Sequence, residues 1–167
     1  MPRLTVQLFG KLNVQRDGRA ITCLPAGKTQ ELLCYLLLHR DRSHPREFLA
    51  GLLWGEHDTA GSKKCLRQAL WQLQNILFYT IDNHIHRLIL AERDSVCFNS
   101  AEAVWIDAAV FERATVHMKP PGQPMLEAEA NELKTAVDLY RADLLEGWYQ
   151  DWCLVERERF QNLYLTM

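Results

Sequence analysis

Apolar and polar residues alternate with period two at the start of the chain. Leu4, Val6 and Leu8 alternate with Thr5, Gln7 and Phe9, and Leu12 and Val14 alternate with Lys11, Asn13 and Gln15. That pattern predicts half-buried strands. Gly10 separates the two runs, and Asp17-Gly18 is a strong hairpin signal. Arg19 to Thr22 then reads as a third strand. After Gly27 the period lengthens. Thr29 to His39 predicts a buried helix, with Leu32, Leu33, Leu36 and Leu37 on a wide stripe that Cys34, Tyr35 and Leu38 extend. Pro45 opens a second helix, with Ser43 or His44 as its cap and Phe48, Leu49, Leu52 and Leu53 as its inner face. Gly55 closes it. A third helix starts between Asp58 and Ser62 and continues to about Leu77.

Alternation returns at Ile85 to Phe98, where Leu88, Ile89 and Leu90 lead into Glu92-Arg93-Asp94 and Val96 and Phe98 lead out. This predicts a β-hairpin, and a hairpin after three helices is the layout of a winged helix. Asn99 to Ala103 is a plausible boundary, dividing a domain at 1–101 from one at 102–167. The second part reads as helical. Asp107 caps a helix through Phe111 to about His117, and Lys119-Pro120-Pro121-Gly122 is a linker. A long helix with Leu133, Ala136, Val137, Tyr140 and Leu144 on one stripe ends near Gly147. Another runs from about Leu154 through Phe160 and Leu163 to the last residue without a stop signal. Paired helices of this kind resemble units of a helical repeat, which bury their faces against neighbours. The expectation is a repeat domain cut short.

Charge divides the chain in the same place. Residues 1–101 hold 13 Lys+Arg and 9 Asp+Glu, a net of +4, whereas 102–167 hold 6 and 12, a net of −6. A basic first part and an acidic second part imply separate tasks. At 48% apolar and 24% charged, the composition is that of an ordinary folded domain. No apolar run is long enough to span a membrane. The opening residues lack the apolar core of a secretory signal. The five cysteines are scattered, with no CxxC pair, which favours reduced thiols and a cytoplasmic location.

The third helix carries the candidate chemistry. Leu66, Ala69, Leu70, Leu73, Ile76 and Leu77 make its apolar face. Lys63, Lys64, Arg67, Gln68, Trp71, Gln72 and Asn75 make a polar stripe at i, i+3, i+4, i+7 spacing. These residue types read double-stranded DNA: cations meet phosphate and guanine, and amides pair with adenine N6 and N7. Arg67 can bridge guanine O6 and N7; Gln68, Gln72 or Asn75 can pair with adenine; Lys63 and Lys64 suit phosphates. Trp71 either meets sugar or thymine methyl or rests on the hairpin. The plain alternative for such a stripe is a solvated helix face. Arg87 and Arg93, with His86, flank the expected wing, where arginine touches backbone or minor groove. Lys28 and Thr29 resemble the end of a phosphate loop, but Thr22 stands where its first glycine belongs. They read instead as a helix start whose N–H groups can meet a DNA phosphate.

Nothing points to catalysis. No GxSxG, HExxH or GxGxxG is present, and His84 and His86 lack the companions of a zinc site. Neither a metal nor a cofactor is expected, and the chain reads as a non-enzyme.

These pieces, in this order, resemble the SARP-type bacterial transcriptional activators. The resemblance covers nearly the whole chain. It rests on Leu8-Phe9-Gly10, Asp17-Gly18, Leu32-Leu33 with Tyr35-Leu36, Arg46-Glu47 with Leu49, Leu53-Trp54 and Leu66-Arg67-Gln68-Ala69-Leu70. In the second part it rests on Val104-Trp105-Ile106-Asp107 with Phe111, Leu139-Tyr140-Arg141, Asp143 to Tyr149, Trp152 and Glu156-Arg157. It implies an α+β fold: an OmpR-type winged helix-turn-helix with an N-terminal antiparallel sheet, then a TPR-like bacterial transcriptional activator domain. It also implies sequence-specific DNA binding and RNA polymerase as a partner through the loop at about Gly55 to Gly61. The acidic helical half, for its part, is expected either to form a homodimer or to receive a signal. One departure stands out. The family often places further arginines late in the third helix, where this chain has Leu73-Gln74-Asn75-Ile76-Leu77. Fewer late cations weaken phosphate attraction. The alternative is a protein–protein docking module whose winged helix no longer binds DNA.

Overall fold

Leu4, Val6 and Val14 all point inward from the first two strands, as the period-two pattern requires. The computed structural model describes residues 4–99 and 104–167 and groups them into two compact units. In the first, β1 (Leu4–Gln7) pairs antiparallel with β2 (Asn13–Arg16), which pairs with β3 (Arg19–Ala20). Asp17 and Gly18 sit at φ 48° and 78°, the left-handed pair that a tight hairpin turn needs. The third strand is two residues long, shorter than the pattern implied. The other edge of β1 takes a strand that the pattern did not show.

That strand comes from beyond the helical unit and is labelled β9 (Val104–Ile106); it runs parallel to β1, Leu4 opposite Val104. The expected division at 101/102 falls among residues outside those described. The compact units do not follow it: 4–20 cluster with 104–167, and 21–99 form the other unit. The reason is the β1–β9 ladder, which ties the chain's start to the segment after that point.

Three helices complete the first unit: α4 (Asp107–Ala114), ending in a single 3₁₀ turn, α5 (Glu127–Leu139) and α6 (Asp151–Thr166). Phe9, Phe111 and Phe160 meet at ring separations of 5.3–5.7 Å, with Tyr140 at 4.9 Å from Phe9. Asp107 does not cap α4 as expected; Ile106 holds the cap position and Asp107 is the first helical residue, free to serve the neighbouring strand exit as well. Its carboxylate accepts from the N–H groups of Leu8 and Phe9 as well as Ala108, at 2.7–3.0 Å. Burial pushes this carboxyl up from its ordinary range, against the pull of those N–H bonds.

The long helix expected to reach Gly147 ends at Leu139. The segment after it adds backbone bonds to the first strand's exit instead: Gly10 N–H to Asp143 O, Leu145 N–H to Leu8 O and Glu146 N–H to Gly10 O, all 2.8–2.9 Å. Leu144 is therefore buried in a bridge with Phe9 rather than on a helical stripe. Arg157 holds the segment from the other side. Its guanidinium donates to the carbonyls of Leu144, Leu145 and Trp148 at 2.7–2.9 Å.

The second unit begins with α1 (Lys28–Leu38), whose residues Glu31 to Leu38 are all buried. A two-residue strand, β4 (His44–Pro45), leads into α2 (Arg46–Trp54), and α3 (Thr59–Ile76) follows. Leu32, Leu33, Leu36, Leu37, Leu49, Leu53, Leu66 and Leu73 form the core between them. Neither Ser43 nor His44 caps α2. Pro45 occupies the cap position, and buried His44 instead shares a 3.0 Å hydrogen bond with the carbonyl of His39. Phe48 is also displaced from its expected inner face. Leu49 and Leu53, one turn apart, point inward and leave Phe48 half exposed beside Tyr35.

The single hairpin expected over Ile85 to Phe98 is two hairpins. The first, β5 (Phe78–Ile81) with β6 (His84–Arg87), turns at Asp82-Asn83, both at positive φ, and stacks Tyr79 on His86. The second joins β7 (Ile89–Ala91) to β8 (Ser95–Phe98), and β8 also pairs with β4. Among the described residues, no helix is long and apolar enough to cross a membrane.

Candidate nucleic-acid interface

The eighteen residues of α3 follow the cap residue Asp58, whose carboxylate accepts from the Gly61 N–H at 2.7 Å. Ser62, Leu66, Ala69, Leu70 and Leu73 face the core. That leaves Lys63, Lys64, Arg67, Gln68, Trp71 and Asn75 exposed on the opposite side, and Gln72 half-buried at its margin. Trp71 is 66% exposed, so its indole lies in solvent rather than against the hairpin.

The amides of this helix differ in what they already hold. Gln72 accepts a hydrogen bond from the Thr29 hydroxyl at 3.1 Å. Asn75 donates to the Trp71 carbonyl at 2.8 Å. Gln74 is half-buried and donates to the carbonyl of Ile89 on β7 at 3.2 Å. The residue that departs most from an arginine-rich helix end is thus a tie between α3 and the second hairpin.

Lys28 and Thr29 open α1 behind Gly27, whose φ of 85° suits glycine. Thr29 is buried through its bond to Gln72, and Lys28 pairs with Glu31 at 3.2 Å. The lysine of this first turn is therefore already paired with a carboxylate.

Arg93 sits in the turn of the second hairpin, and that turn is fastened to the start of α2. Arg46 donates through Nε to the Glu92 carbonyl at 2.7 Å, and its backbone N–H reaches the Asp94 carbonyl at 3.0 Å. The result is a groove of about 600 Å³ lined by Arg46, Glu47, Lys63, Arg67, Arg93 and Asp94. Lys63 and Glu47 are 3.3 Å apart across it, both well exposed, a pairing worth about 0–1 kcal/mol. Of the residues expected at a site, the structure brings Lys63, Arg67 and Arg93 to this groove. Arg87 does not join them; it lies on β6 opposite Phe78. Sequence reasoning missed Arg46 as part of the site, since its partners are 46 and 48 residues away.

No family model matches the chain, and no curated protein sequence does. The fold is similar to a solved structure of Mycobacterium tuberculosis EmbR in complex with a low affinity phosphopeptide, at a TM-score of 0.59 and 18% identity. The match covers 99% of this chain and 41% of the EmbR chain.

Proposed function

We propose that this chain is a transcriptional regulator that binds double-stranded DNA through the unit 21–99. In this reading α1, α2 and α3 with the second hairpin form an OmpR-type winged helix, and α3 enters the major groove. The observation that carries it is the solvent-facing stripe of cations, amide and indole on α3, bordered by a groove where Arg67 and Arg93 meet. The fold likeness to EmbR supports the same class. Lys63, Lys64, Arg67, Gln68, Trp71, Gln72 and Asn75 are the proposed contacts on the helix. Arg93 serves at the wing, Arg87 on the neighbouring hairpin, and Lys28 and Thr29 at the start of α1. The helices of the first unit take the part of a TPR-like domain, offering a surface for dimerisation, and the turn at Gly55 to Gly61 is the proposed contact for RNA polymerase.

Fluorescence anisotropy on an operator selected from random duplexes tests this. Arg67→Ala should cost about 1–3 kcal/mol of specific binding, and affinity should fall steeply with salt because phosphates release counterions. Unchanged affinity for Arg67→Ala removes that residue's role. A second reading, a docking module for another protein, draws on Glu47 and Asp94, which share the groove with the cations. Absence of any salt-dependent DNA affinity would favour it.

A further inference from the structure

The four side-chain amides of α3 are not equivalent, and their hydrogen bonds separate them. Pairing an amide with adenine takes both of its ends at once: the carbonyl oxygen accepts from N6, and the NH₂ donates to N7. Gln72 has its oxygen turned back to the buried Thr29 hydroxyl. Asn75 has its NH₂ folded onto the helix backbone at Trp71. Gln74 has its NH₂ on Ile89 and lies off the exposed stripe. Gln68 alone is exposed and has no hydrogen-bond partner among the described residues. It stands one turn after Lys64 and one turn before Gln72, in the middle of the stripe.

From this we infer that Gln68 is the adenine-reading residue of α3, while Gln72 positions the helix against α1. The inference rests on the DNA-binding reading above and assigns the base it discriminates. Gln68 approaches the base edge without first breaking a bond within the protein. Gln72 and Asn75 each have to give one up, which cancels much of what an adenine pair returns.

The test uses the whole chain and duplexes selected from a random pool. Affinities are then measured for the selected site and its single base-pair swaps, with wild type, Gln68→Ala, Gln72→Ala and Asn75→Ala. Wild type should prefer adenine at one position by about 5- to 150-fold. Gln68→Ala should abolish that preference and leave the others intact, and the Gln72 and Asn75 variants should keep it. Gln68→Glu should shift the preference toward cytosine, whose N4 donates to a carboxylate. Because residue 68 is exposed, unchanged circular dichroism is expected for both of its variants. The inference is overturned if Gln68→Ala keeps every preference, if Gln72→Ala or Asn75→Ala removes an adenine preference, or if wild type binds duplexes without base discrimination. A wild type that binds no DNA at all defeats the DNA-binding reading itself.

Discussion

Three peptide N–H groups, from Leu8, Phe9 and Ala108, end on one carboxylate at Asp107. A side-chain amide at that position keeps a single oxygen and turns an NH₂ toward donors, so Asp107→Asn should leave buried N–H groups without an acceptor. The expected loss is about 1–3 kcal/mol, read as a lower urea midpoint at unchanged slope. The effect should register in the first sheet as well as in α4, since two of the three donors, Leu8 and Phe9, lie just past the end of β1. At the candidate interface the same accounting separates residues that look alike in sequence. Gln68, Gln72, Gln74 and Asn75 are all amides on one helix, yet three of them are occupied by bonds within the protein.

At the scale of elements, the entry to α5 is held by charge. Lys119 reaches Glu129 at 2.6 Å, and the Leu126 N–H reaches the same carboxylate at 2.9 Å. Together, with Lys119 foremost, they hold the Glu129 carboxyl below its ordinary value of 4.5. The folded chain thus binds that proton less tightly than the unfolded chain. The stabilisation is fully present above pH 4.5 and is lost as pH falls through the lowered value. Glu129→Gln should melt below wild type at neutral pH and converge with it in acid, which thermal melts across a pH series check.

Which elements can be read from the chain follows from how far their partners lie. α1, α2 and α3 show in the pattern because each buries a stripe spaced by its own turn, and the Asp17-Gly18 hairpin shows because its turn is local. β9 and the 143–146 segment do not. Their partners are Leu4 to Val6 and Leu8 to Gly10, separated by about a hundred residues or more, and no periodicity spans such a distance. The α5 stripe misled for the same reason: Leu144 has the right spacing for a helix but is claimed by Phe9. At the site, the polar stripe of α3 was visible, whereas the Arg46 tie that sets the turn around Arg93 was not.

For the whole molecule, the units imply a definite response to cutting. The 21–99 fragment keeps α1, α2, α3 and the strand pairs β4–β8–β7 and β5–β6. It should retain its helical circular dichroism and a cooperative melt. The 104–167 fragment lacks the strand that β9 pairs with and the Phe9 ring at the centre of its core, and should not fold cooperatively by itself. Adding residues 1–20 as a separate peptide should restore structure to it.

The β1–β9 ladder also sets a timetable. Leu4 leaves the ribosome 100 residues before its partner Val104. At about 5–20 residues per second, that gap lasts roughly 5–20 s. Throughout it, a strand bearing Leu4 and Val6 has one edge unfilled. The helices of 21–99 have time to fold first. A cell short of chaperones should therefore lose this protein during synthesis more readily than its finished stability would indicate.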